Sequence, residues 1–135
     1  MNNISNSSIT LRIATFLLRL SIGIMFFLHG IGKAFLVEFD TVVLSFINKG
    51  FPVWTAYAST GAEILAGLFL IIGFYTQWAA ISLIPITIGI IAYHFPNGWV
   101  FHNAGGGWEY PQLILISLIV IGLLESSKKN NLNNV

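Results

Sequence analysis

Glu63 stands alone in the apolar run from Val53 to Phe74, in a chain of which only 8% is charged. A charge near the centre of a bilayer costs about 2.5–3.5 kcal/mol on insertion scales, so such a carboxylate faces a partner, a cavity or a ligand rather than lipid. The sequence places His29, Lys33, His94, His102 and Glu109 toward one side of the same membrane. Together these groups can exchange protons, hold a metal or grip a small polar head group. Zinc, copper and iron accept imidazole and carboxylate ligands, but no HxxxH, HxH or ExxH spacing brings such ligands together, and no metal site is assigned. Two histidines at similar depth would suit haem, although nothing in the pattern specifies it. A quinone head group fits as well: His and Glu exchange protons with its carbonyls, and Phe, Trp and Leu line its tail. The cofactor is left open among these.

Composition says what kind of protein must position these groups. The chain has 135 residues, is 56% hydrophobic and has a mean hydropathy of +0.81. Soluble domains carry roughly 25% charged residues, so this is an integral membrane protein. A net charge of +1 with scattered basic residues excludes a nucleic-acid footprint. Cysteine is absent, which excludes disulfide exchange, thiolate metal sites and Fe–S clusters. The first apolar segment is too long for a signal peptide and is read as retained.

About 20 apolar residues span a bilayer. Four segments qualify: Leu11 to Phe35, Val53 to Phe74, Gln77 to Phe95, and Tyr110 to Leu124, the last starting a few residues earlier near Gly107. The expected fold is an all-α bundle of four transmembrane helices over residues 11–125. Residues 1–10 form a polar N-terminal segment and residues 126–135 a polar tail, both expected to fray. Between spans one and two, Phe39, Val42, Val43, Phe46 and Ile47 recur at helical spacing. They predict a short amphipathic helix over Glu38 to Lys49, with Asp40 as N-cap and Gly50 as stop. Pro52 opens span two, and Tyr75-Thr76 makes a tight turn between spans two and three. The Gly- and Trp-rich loop from Pro96 to Trp108 suits interfacial anchoring. Arg12, Arg19, Lys128 and Lys129 place both termini in the cytoplasm, against Lys33 and Lys49 in the first outer loop.

In span one, Arg12, Arg19, Ile22, Phe26, His29 and Lys33 share a heptad-like stripe, which predicts that its basic groups face the bundle interior. Ser59, Glu63, Ala66, Gly67 and Leu70 form a mostly small stripe in span two, suited to close helix approach. Counting residues puts Glu63 about 15 Å below the outer surface, His29 about 9 Å and Arg19 about 24 Å. Glu63 therefore has two candidate partners. Arg19 would make a structural ion pair, and His29 a titratable dyad open to an outer cavity.

The linear pattern resembles the DoxX family of small bacterial membrane proteins. Arg19-Leu20-Ser21-Ile22-Gly23 leading to Phe27-Leu28-His29-Gly30-Ile31-Gly32-Lys33 is similar to the family's first helix. Lys49-Gly50-Phe51-Pro52, Ala62-Glu63-Ile64-Leu65-Ala66-Gly67 and Gly105-Gly106-Gly107-Trp108-Glu109-Tyr110-Pro111 extend the likeness over about residues 11 to 124. The resemblance implies a four-helix bundle in the bacterial inner membrane, and kinship with membrane subunits of oxidoreductases, one of them a thiosulfate:quinone oxidoreductase. It maps the family's polar positions onto Arg19, His29, Lys33, Glu63 and Glu109. Gln77 stands where members often carry a basic residue, and Leu123-Leu124-Glu125-Ser126 replaces a Gly/Pro motif. Thiosulfate is accordingly not carried over as substrate.

The expected function is a redox-associated membrane subunit whose outer-half cavity binds quinone. Glu63 and His29 would handle protons, Lys33, His94, Trp108 and Glu109 would line the site, and Arg19 would form a structural ion pair. A redox partner subunit and a homo-oligomer are the expected protein partners, and lipid the surroundings. The alternatives are a non-catalytic scaffold of a larger membrane complex and, below it, a carrier of small solutes or metal ions.

Overall fold

Long apolar runs form the helices, and the breaks between them fall at Val37-Glu38, from Lys49 to Pro52, from Gly73 to Tyr75 and in the Gly-rich loop before Glu109. The computed structural model describes the backbone over residues 2–133 and side chains over residues 9–127. Helix α1 (Asn2–Ile31) passes into a π-helical turn (Gly32–Leu36), followed by α2 (Phe39–Asn48), α3 (Val53–Ile72), α4 (Thr76–His94) and α5 (Glu109–Asn133). A 3-10 turn, Phe95–Asn97, extends α4. Four of these helices are long and apolar enough to cross a membrane, and α2 is the expected short helix between the first two spans. The polar ends were expected to fray, but the helical backbone of α1 begins at Asn2 and that of α5 reaches Asn133. The side chains of Lys128 and Lys129, which entered the orientation argument, lie outside the described residues.

Helix packing follows chain order around a ring: α1 lies against α3, α3 against α4, α4 against α5, and α5 closes onto α1. The core is Ile22, Phe26, Ala66, Leu70, Ala79, Ala80, Leu83, Leu118 and Ile121. Most remaining large apolar side chains point outward, Leu28, Leu65, Trp78 and Leu123 among them. Outward-facing Leu and Trp of this kind suit a lipid solvent, where association rests on close packing rather than on water exclusion.

Glycine makes that packing close. A Cβ on Gly67 would lie 2.6 Å from the Phe27 amide nitrogen, and one on Gly23 would lie 2.9 Å from the Gly67 carbonyl oxygen. The two backbones therefore touch where α1 meets α3, as expected from the small stripe in span two. Every member of that stripe, from Ser59 to Leu70, is buried.

The turns are made by local chemistry. Gly73 ends α3 at φ +81, where its N–H and that of Phe74 both donate to the Phe69 carbonyl. Phe74 then packs edge-on to Phe69. Tyr75, at φ +44, completes the reversal into α4. At α2, Glu38 occupies the cap position expected of Asp40 and makes no side-chain cap bond, while Asp40 lies in the first turn. There its negative charge favours the positive end of the helix dipole.

Candidate functional site

The face of α3 that turns inward carries Ala56, Ser59, Thr60, Glu63, Ala66, Gly67 and Leu70. Three- and four-residue spacing puts these residues on one side of an α-helix. Ser59 and Thr60 both donate their hydroxyl hydrogens to the Ala56 carbonyl, so neither supplies a donor to the carboxylate one turn along. Glu63 is 2% exposed, which makes its charge dependent on whatever neighbouring helices provide.

Helix α1 provides Lys33. Its Nζ donates to Glu63 Oε1 at 2.7 Å, and the lysine side chain keeps 27% of its surface exposed. Gly30 sets the depth of this contact. A Cβ there would lie 3.2 Å from Glu63 Cβ and 2.9 Å from the Ile64 nitrogen, so the two helices are level at this point. Side chains on a helix lean toward its N-terminus, and Lys33 leans back one turn to reach the carboxylate. It does so from a π-helical turn in which the Val37 N–H donates to the Gly32 carbonyl at 3.2 Å. Such turns are rare and are frequent at functional sites. The other carboxylate oxygen, Oε2, is buried without a hydrogen-bond partner.

Neither partner proposed for Glu63 from the sequence is the one that meets it. His29 lies on the exposed side of α1, and its Nδ1 is 3.0 Å from the Met25 carbonyl. The heptad-like stripe misplaced it. On a helix of 3.6 residues per turn, Phe26, Gly30 and Lys33 share the inward direction, and His29 falls to one side. Arg19 lies deeper, against Gly73 at the far end of α3, where a Cβ on that glycine would be 2.8 Å from Nη1. Its guanidinium also lies 5.7 Å from the Phe16 ring centroid. Arg19 thus faces the end of α3, not its middle.

At the end of the bundle where α1 finishes, the residues expected to shape a mouth build the loop before α5. His94 Nδ1 lies 3.0 Å from the Gly105 carbonyl and 3.1 Å from that of Gly106. Asn97 Nδ2 donates to the same two carbonyls, each at 3.0 Å. Asn103 Nδ2 donates in turn to the Asn97 carbonyl. Trp108 stacks on Phe95 at 5.6 Å and meets Trp99 edge-on at 4.4 Å. The Glu109 N–H donates to the Trp99 carbonyl as α5 begins, and its acidic side chain falls in the first turn. Exposed His102 lies beside Phe101.

Asn97 was not singled out in the sequence, although Pro96-Asn97-Gly98 is a turn signal. Replacing Asn97 with alanine removes both of these hydrogen bonds, which lie at or near the surface, and should cost about 0.5–1.5 kcal/mol. The expected result is faster amide hydrogen exchange over residues 98–108 with little change in α3. Uniform loosening of the whole bundle would show that the loop is not held locally. Lys49, which entered only the orientation argument and the family likeness, has its Nζ 3.7 Å from the Tyr93 ring centroid, tying the end of α2 to α4.

Among the described residues, no group of three or more His, Asp or Glu side chains comes together as a metal site. The arrangement is instead an ion pair between a buried carboxylate, with one oxygen bonded and the other unpartnered, and a partly exposed ammonium. Oε2 is an acceptor without a donor, and Nζ keeps N–H donors beyond the one given to Oε1. A cleft of about 260 Å³ lies elsewhere, between α1 and α5 at the opposite end of the bundle.

The family model described as DoxX matches residues 14–103. A relative from Bacillus subtilis (strain 168), described as "Putative oxidoreductase CatD", is 28% identical over 114 residues, covering 84% of this chain and 81% of the relative. No solved structure matches.

Proposed function

The chain belongs to the DoxX family, and from that premise we propose that it is a redox-associated subunit of the bacterial inner membrane that binds a quinone head group at the Lys33–Glu63 pair. The observation that carries this reading is the buried Oε2 of Glu63, which has no donor. A buried acceptor left unmade costs about 1–3 kcal/mol, and more for a charged group. A quinol hydroxyl is a donor that fills it. Lys33 has three N–H donors and gives one to Oε1, so a carbonyl of the oxidised ring can take another. The exposed edge of Lys33 is where a head group would arrive, and for Oε2 to meet it the Glu63 carboxylate must turn toward that edge.

Oxidation of a quinol to a quinone releases two electrons and two protons. Glu63 accepts one proton at Oε2 and the other leaves to water at the loop end of the bundle. Because Lys33 and Glu63 move only protons and hydrogen bonds, the two electrons must go to an electron-accepting cofactor carried by a redox partner subunit. In this reading His29 takes no proton from Glu63. His94 acts by holding the loop, and Trp108, with Phe95 and Trp99, forms an aromatic wall beside the α5 entry. The loop end faces outward and both termini face the cytoplasm, as Arg12 and Arg19 near the other end favour. The oxidoreductase name of the Bacillus relative supports the chemical class.

The test is a titration of the detergent-purified protein with a short-chain quinone, following tryptophan fluorescence. Saturable quenching in the wild type, weakened at least tenfold in Glu63→Gln, is the expected result; a tenfold change corresponds to about 1.4 kcal/mol. Equal, non-saturable quenching in both would remove quinone from the carboxylate.

A scaffold function has one observation in its favour. The same ion pair joins the two helices that touch at Gly23 and Gly67, as a structural lock would. The double variant Lys33→Met/Glu63→Gln separates the readings. A lock keeps partner assembly when the pair is removed cleanly, whereas the quinone site is lost however well that variant folds.

A further inference from the structure

The cleft between α1 and α5 has a chemistry of its own. Its walls bring Arg12 and Arg19 together with Leu11, Phe16, Leu124 and Glu125, around about 260 Å³. Arg12 and Arg19 are two turns apart on α1, about 10 Å along its axis. Glu125 is itself engaged with a partner. Arg19 carries an unmet requirement: its Nε is buried and has no hydrogen-bond acceptor. Lys128 and Lys129 follow in the next turn of α5.

We propose that this cleft is a binding site for the phosphate head group of an anionic phospholipid. Guanidinium presents planar, paired N–H donors that match phosphate oxygens, and two of them line one opening. A small turn of the Arg19 guanidinium gives Nε the acceptor it lacks. The apolar walls favour a lipid over a free anion. Leu11 and Phe16 are 55% and 47% exposed, and so are placed to run alongside the glycerol end of an acyl chain. Basic pockets between transmembrane helices bind anionic head groups elsewhere by the same physics. The site is independent of the Lys33–Glu63 pair, which lies at the other end of the bundle.

Native mass spectrometry of the full chain released from mixed micelles of phosphatidylglycerol and phosphatidylcholine tests this directly. The wild type should retain one phosphatidylglycerol in preference to phosphatidylcholine. Arg12→Gln and Arg19→Gln should each lower that preference about tenfold, the loss expected for a charge-assisted hydrogen bond. Lys49→Gln, at the opposite end, should leave it unchanged. Arg12 is exposed, so its variant carries the test even if the Arg19 variant folds poorly. Equal retention of the two lipids, or a preference indifferent to Arg12→Gln, would overturn the proposal. Inorganic phosphate that competes as effectively as the lipid would also overturn the lipid assignment.

Discussion

Replacing Lys33 with methionine should destabilise the bundle by about 3–5 kcal/mol, the cost of removing one partner from a buried ion pair. Methionine preserves most of the stem, so the loss falls on the ammonium. Glu63, 2% exposed, is then left with neither oxygen bonded. It can escape only by taking up a proton or by drawing water into the helix interface. The reverse substitution, Glu63→Gln, should cost less, because Lys33 is 27% exposed and its long stem can carry the ammonium outward. Adding Glu63→Gln to the Lys33→Met background should recover most of the stability, giving a large coupling energy in a double-mutant cycle. Unfolding in mixed micelles measures all four species. A Lys33→Met cost below about 1 kcal/mol, the range of an exposed pair, would mean that water already reaches the carboxylate.

Gly67→Ala should be nearly as damaging. The added Cβ meets backbone on α1, the Phe27 nitrogen at 2.6 Å and the Gly23 oxygen at 2.9 Å, and backbone cannot rotate away as a side chain can. The helices must separate, at a cost of about 1–3 kcal/mol or more. That separation also draws Lys33 from Glu63, so quinone quenching should weaken together with stability. Gly61→Ala supplies the control on the same helix. A Cβ there meets nothing within 4 Å, and removing a helical glycine gains up to about 1 kcal/mol. Opposite signs for the two substitutions are expected in thermal unfolding. Equal signs would show that the crossing of α1 and α3 is looser than this geometry.

The architecture was legible because its signals are long and redundant. Four apolar runs, the stripe at Ser59, Glu63, Ala66, Gly67 and Leu70, and the Gly50 stop after the short helix each specify an element locally. The partner of Glu63 was harder to read. Depth counting treats side chains as points on a straight helix, which favours His29 and Arg19 as residues bracketing the carboxylate. Lys33 begins nearer the surface, but its stem reaches back a full turn, and its π-helical turn has no clear sequence signature. His29 fell on the predicted stripe because a heptad drifts from the true helical repeat over several turns. Gly30, its neighbour, takes the inward position instead. His94 was read as a mouth residue from its depth alone. Its hydrogen bonds to a loop eleven and twelve residues away depend on chain folding that spacing does not encode.

Whether a quinone meets the Lys33–Glu63 pair is read most directly by photoaffinity labelling. A photoreactive short-chain quinone, activated on the purified wild-type protein and mapped by peptide mass spectrometry, should label the π-helical turn around Lys33 and the α3 segment around Glu63. Excess unlabelled quinone should suppress that labelling, and Glu63→Gln should abolish it. Labelling spread over lipid-facing residues, concentrated in the α1–α5 cleft, or unaffected by competitor would contradict the account.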